Sequence, residues 1–191
     1  MPLPIKNVIL DFGGVLFAID YHAPHREFQK LGWPSFEEDY SQAAQNEIYD
    51  LLEVGAIDNE TFWEYLHSKM PNASRTEIER AWNSILLQPI SERVEKLPLL
   101  KARYNTFLLS NTNAIHAPVF EKMMKETGEW DIMEKNFDAI LYSQNIHHRK
   151  PHPETFLHVC QLYQLSPSET VFVDDSIQHV KGAQAAGLHA L

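Results

Sequence analysis

The chain is 191 residues long, 44% hydrophobic and 22% charged, with a formal net charge of −10. That length holds one domain with a good core, or a core with a small insertion, and the acidic balance argues against a nucleic-acid partner, which favours a basic face. The single cysteine, Cys160, excludes an internal disulfide, and no segment approaches the roughly 20 apolar residues of a membrane span, so a cytoplasmic location with no membrane partner is expected.

In chain order, residues 8–10 form a short apolar run that stops at Asp11 and turns through Phe12-Gly13-Gly14. Residues 17–89 then carry helical patterns at 25–31, 36–44, 47–54, 59–70 and 75–87. The last is the clearest. Ser74 and Glu77 form a capping box, and Ile78, Ala81, Trp82, Ile85 and Leu86 follow as one apolar stripe. Trp33, Trp63 and Trp82 read as packing residues of a small helical bundle, and Gln88-Pro89-Ile90 as the return hinge. Apolar runs at 106–109, 139–142, 171–173 and 189–191 read as further strands, with helical patterns at 92–102, 115–125, 154–163 and 179–186. Strands alternating with helices imply a parallel sheet. The expected fold is therefore α/β: a Rossmann-like core from 1–16 and 90–191, with an all-helical cap of four-helix-bundle type inserted at 17–89.

Polar residues stand where the apolar runs stop. Asp11 ends the first, Ser110-Asn111-Thr112-Asn113 the second, and Asp174-Asp175 a later one, while Lys150 opens Lys150-Pro151-His152-Pro153. In an open α/β sheet, ligands bind beyond the carboxyl ends of the strands. These four points can meet in one crevice. Their order resembles the haloacid dehalogenase superfamily of phosphatases over essentially the whole chain. Asp11-Phe12-Gly13-Gly14-Val15-Leu16 is similar to its first motif, Ser110-Asn111 to the second, the segment from Lys150 to Phe156 to the third, and Val173-Asp174-Asp175 with the segment from Gly182 to Gly187 to the fourth. The pattern Asp-x-Gly resembles a subgroup that includes sugar-phosphate phosphatases.

The resemblance implies a role for each position. Asp11 would be the nucleophile that takes the phosphoryl group, dividing hydrolysis into two steps. Asp11, the Gly13 carbonyl and Asp175 would hold Mg²⁺, which takes oxygen ligands, with Asp174 orienting from behind. Ser110 and Asn111 would donate to phosphate oxygens. Lys150 would neutralise Asp11 and the phosphate. Asn113 would either face the substrate or cap the next helix. Most phosphatases of the family carry an acid/base Asp where this chain has Gly13, so the proton for the leaving group must come from elsewhere, and His22 or His25 is the place to look. Histidines 147, 148 and 152 cluster without zinc spacing.

The expected function is Mg²⁺-dependent release of phosphate from a small phosphorylated metabolite, such as a sugar phosphate, through an aspartyl-phosphate. Three alternatives stand beside it. A haloacid dehalogenase needs no leaving-group proton. A phosphonate-cleaving enzyme would need a cap lysine, for which only Lys30 and Lys69 are available. A phospho-ligand binding protein would have little turnover.

Overall fold

The computed structural model describes residues 4–41 and 45–191. Among these, five strands form one parallel sheet. They are β1 (Asn7–Leu10), β4 (Asn105–Ser110), β5 (Ala139–Tyr142), β6 (Thr170–Val173) and β7 (His189–Ala190), in the order β5-β4-β1-β6-β7. β1 is buried along its whole length, as its unbroken apolar run requires. The chain steps outward from β1 to β4 and β5, then crosses to β6 and β7 on the other side. The strand order therefore reverses between β1 and β6, and a crevice opens at their carboxyl ends.

Between β1 and β4 lies a helical segment: α1 (His22–Lys30), α2 (Phe36–Asp39), α3 (Glu47–Glu53), α4 (Asn59–Lys69) and α5 (Arg75–Asn83). Phe28, Phe36, Tyr49, Phe62 and Trp82 pack there with Trp33, Trp63 and Leu66 as a cluster separate from those on the two faces of the sheet. Full burial of each large apolar side chain is worth roughly 1.5–3 kcal/mol, so the segment carries a core of its own. The capping box at Ser74 and Glu77 is present in full. Of the pattern read at 36–44, the helix covers Phe36–Asp39, and residues 42–44 lie outside the described residues.

The helix read at 75–87 stops at Asn83, and Leu86–Pro89 is instead β3, paired antiparallel with β2 (Phe17–Ile19). Both passages between helical segment and sheet thus run through one two-stranded ribbon, closed by Asp20 N–H donating to Ile85 O at 2.9 Å. The sheet is flanked by α6 (Ser91–Val94), α7 (Leu97–Lys101), α8 (His116–Thr127), α9 (Glu129–Asn136), α10 (Ser143–Ile146), α11 (Pro153–Leu162) and α12 (Ile177–Ala185). The pattern read at 92–102 divides into α6 and α7. α9 was hidden by Gly128, a helix stop at φ +89° from which a second helix starts at once. Trp130 of α9 is buried in the sheet-side core. No helix among the described residues is long and apolar enough to cross a membrane.

Candidate active site

Asp11 follows the last residue of β1, and Asp174 and Asp175 follow β6. The two strands are hydrogen-bonded neighbours, so the three carboxylates meet across the reversal point. One oxygen from each lies within 4.8 Å of the others. Ser110 is the last residue of β4, buried at the crevice wall. Among the described residues its hydroxyl makes only a 3.4 Å contact, to Asn111 O, and so can turn toward an anion.

Lys150 is brought in by side-chain scaffolding. Asn111 Nδ2 donates to Lys150 O at 2.8 Å, and Lys150 N–H donates to Asn111 Oδ1 at 2.9 Å. The Asn111 side chain thus fixes the loop that carries the lysine. Gly182 of α12 completes the mounting. A Cβ there would stand 1.9 Å from Pro151 O, so only glycine lets the helix approach the loop. The lysine side chain is fully buried, with Nζ 2.5 Å from Asp11 Oδ1 and 2.7 Å from Asp174 Oδ2.

The charges explain each other. Burial pushes Asp11 up to about 6, with Lys150 pulling downward and Asp174 upward. Burial acts upward on Asp174 as well, but Lys150 and His179 outweigh it and hold that carboxyl down to about 2. His179 Nδ1 sits 2.9 Å from Asp174 Oδ2. Asp175 is raised by burial and by Asp174. Burial opposes the Lys150 charge, yet the two aspartates hold it protonated, above the usual lysine value. Three carboxylates against one ammonium leave two surplus negative charges, which one divalent cation would balance. An all-oxygen donor set of this kind suits Mg²⁺.

The turn after Asp11 is held by Arg93, which the sequence did not single out. Arg93 Nη1 donates to Gly14 O at 2.8 Å and to Val15 O at 2.9 Å. Gly14, at φ +72°, is the glycine the turn needs: a Cβ there would lie 2.3 Å from Asp175 Oδ2. At Gly13 a Cβ would meet Ile19 Cδ1 at 2.9 Å, so an apolar side chain from β2 fills the space where the family's acid/base carboxylate would begin. Asn113 Oδ1 accepts from Ile115 N–H and His116 N–H, both at 3.0 Å, which is the capping geometry.

The opposite wall comes from the helical segment and includes Tyr21, Tyr40, Gln45 and Glu53. Arg149, next to Lys150, ties that wall down. Its Nε donates to Glu53 Oε2 at 2.8 Å and its Nη1 pairs with Asp50 Oδ1 at 3.0 Å, both on α3. Burial keeps Glu53 above the usual carboxylate range, although Arg149 pulls it back. His22 and His25 do not line the crevice. The His22 side chain is 72% exposed and pairs with Glu37, as does His25. They are not placed to protonate a leaving group. His147 Nδ1 meets Val54 O at 2.9 Å, and the His148 ring lies against His158, centroids 4.4 Å apart and tilted by 30°.

The chain is similar to known proteins along most of its length. A family model for haloacid dehalogenase-like hydrolases matches residues 5–187. D-ribitol-5-phosphate phosphatase of Bacteroides thetaiotaomicron is 28% identical over 182 residues, covering 92% of this chain and 85% of that protein. The sesquiterpene phosphatase astK of Aspergillus oryzae is 29% identical over 97% of this chain and 88% of its own. A crystal structure of a HAD family enzyme from Bacteroides thetaiotaomicron, in complex with magnesium and inorganic phosphate, superposes with a TM-score of 0.83 at 31% identity, covering 98% of this chain and 93% of that one.

Proposed function

The chain belongs to the haloacid dehalogenase-like hydrolases, and we propose that it is a magnesium-dependent phosphatase of a small phosphorylated metabolite, with Asp11 as the nucleophile. The observation that carries this reading is the meeting of Asp11, Asp174 and Asp175 with Lys150 at the ends of neighbouring strands. Similarity to phosphatases, one of them named for a sugar-alcohol phosphate, supports the substrate class.

In the first step an Asp11 carboxylate oxygen attacks phosphorus, and the ester P–O bond breaks. In the second, water attacks phosphorus, and the Asp11 carboxylate and phosphate are released. Lys150 and Ser110 hold the phosphoryl oxygens, and Lys150 also keeps Asp11 ionised for attack. Asp11, Asp175 and the Gly13 carbonyl would hold Mg²⁺, with Asp174 behind them orienting Lys150. When bound, the ion would neutralise charge on the phosphoryl oxygens. The helical segment acts as a cap that closes the crevice and carries the specificity wall.

Chelation by EDTA should stop phosphate release from this protein, and added Mg²⁺ should restore it. Undiminished phosphate release in EDTA would overturn the metal requirement. The phosphonate reading finds no support, because neither Lys30 nor Lys69 lines the crevice. Lys30 pairs with Glu27, and Lys69 lies over the Trp33 ring.

The Gly13 position has a kinetic consequence. General acid–base assistance is typically worth roughly 10²–10⁴ in rate, and Ile19 stands where that acid would begin. An activated aryl phosphate should therefore outrun a simple alkyl phosphate by a wide margin. The check is kcat against leaving-group pKa. A flat line, with dephosphorylation shown not to limit the rate, would mean that some side chain does protonate the leaving oxygen.

A further inference from the structure

His116 opens α8 directly behind Asn113 and lines the same crevice as Asp11. It is only 6% exposed. Its ring stacks on Trp82, with centroids 4.7 Å apart at 22°. Its Nδ1 lies 2.9 Å from Asn83 Oδ1. Asn83 Nδ2 donates to Glu79 O at 3.0 Å, which fixes the end of the amide that faces the ring. A carboxamide oxygen only accepts. The shared proton therefore sits on His116 Nδ1.

Burial holds the ring neutral, with its pKa lowered to about 3. Nε2 is then a bare lone pair, and it is a buried atom with no hydrogen-bond partner among the described residues. An unsatisfied buried acceptor is costly, and a native structure that keeps one calls for an explanation. The phosphoryl group of an ester dianion cannot supply the missing partner, because its free oxygens only accept. A donor is required. The substrate's other half can bring one, as an O–H. The facing wall, with Tyr21, Gln45, Glu53 and Arg149, is polar in the way a polyhydroxylated group would need.

We infer that His116 Nε2 accepts a hydrogen bond from a hydroxyl on the leaving group, making His116 a specificity-determining residue for polyhydroxylated phosphate esters. This rests on the reading that the crevice holds a phosphate ester. A ring locked neutral on this tautomer donates no proton from Nε2, so the role is recognition and not acid catalysis.

Two measurements test it. The first compares kcat/KM for ribitol 5-phosphate with that for pentyl phosphate, which has the same chain length and no hydroxyl. The wild-type protein should prefer the polyol ester, and His116→Phe, which keeps the stack on Trp82, should reduce that preference roughly 3- to 10-fold, as loss of one neutral hydrogen bond predicts. An unchanged ratio with normal hydrolysis overturns the inference alone, whereas no phosphate release from either ester overturns the phosphatase reading. The second needs neither turnover nor a folded His116 variant. In Asp11→Asn protein, the Nε2 nitrogen resonance of His116 should move on addition of ribitol 5-phosphate and stay in place with pentyl phosphate. No movement with the polyol ester, or equal movement with both, overturns the inference.

Discussion

Replacing Asp11 by Asn should abolish phosphate release, with a loss on the order of 10⁴–10⁶, as expected when a nucleophile that works as part of a unit is removed. The change is nearly isosteric, so the fold should survive. The pH dependence of stability then separates a lost nucleophile from a damaged fold. Asp11 has a folded-state pKa of about 6, above its usual 3.8. A carboxyl raised in this way contributes stability that is fully present below the unfolded value and lost as pH rises through the folded one. Metal-free wild-type protein should therefore lose thermal stability from this group between pH 4 and 6, and Asp11→Asn should lack that part of the decline. Near wild-type turnover in the variant would reject Asp11 as the nucleophile.

Lys150→Met should damage both stability and turnover. The ammonium is fully buried between Asp11 and Asp174. Its removal leaves two buried carboxylates facing each other with no cation between them. Breaking a buried pair from one side typically costs about 3–5 kcal/mol, and at this chain length each kcal/mol lowers Tm by about 2–4 °C. A fall of roughly 10 °C in metal-free protein is expected, with partial recovery in Mg²⁺ or at low pH, where the carboxylates protonate. Loss of a charge that faces the transferring group should also lower kcat by roughly 10²–10³. A Tm within about 2 °C of wild type would show that the carboxylates find another partner, since so small a shift corresponds to less than about 1 kcal/mol.

The sheet and the corners of the site were legible because they are local signals. An apolar run that stops at Asp11, Ser110 or Asp174 announces both a buried strand and a polar residue at the crevice. What stayed hidden depends on distance along the chain. Arg149 meets Glu53 across 96 positions, and Arg93 meets Gly14 across 79. No periodicity encodes such pairs. β3 was hidden for the same reason: Leu86 completes an apolar helical stripe as well as it pairs with Ile19, and only the tertiary fold decides between them. His116 was hidden differently. A histidine at a helix start reads as a surface residue until Asn83 and Trp82 are seen beside it.

The β2–β3 ribbon has a consequence for how relatives of this chain could trade parts. Because Phe17, Ala18 and Ile19 pair with Pro89, Gln88 and Leu86, the two crossings stand side by side, with paired backbones about 5 Å apart. Everything from residue 21 to residue 84 therefore hangs from a single narrow stem. Another helical cassette whose ends meet at that spacing could be grafted onto the stem while Asp11, Ser110, Lys150 and Asp175 keep their places. The graft would have to supply its own acidic partner for Arg149, because Asp50 and Glu53 leave with the old one.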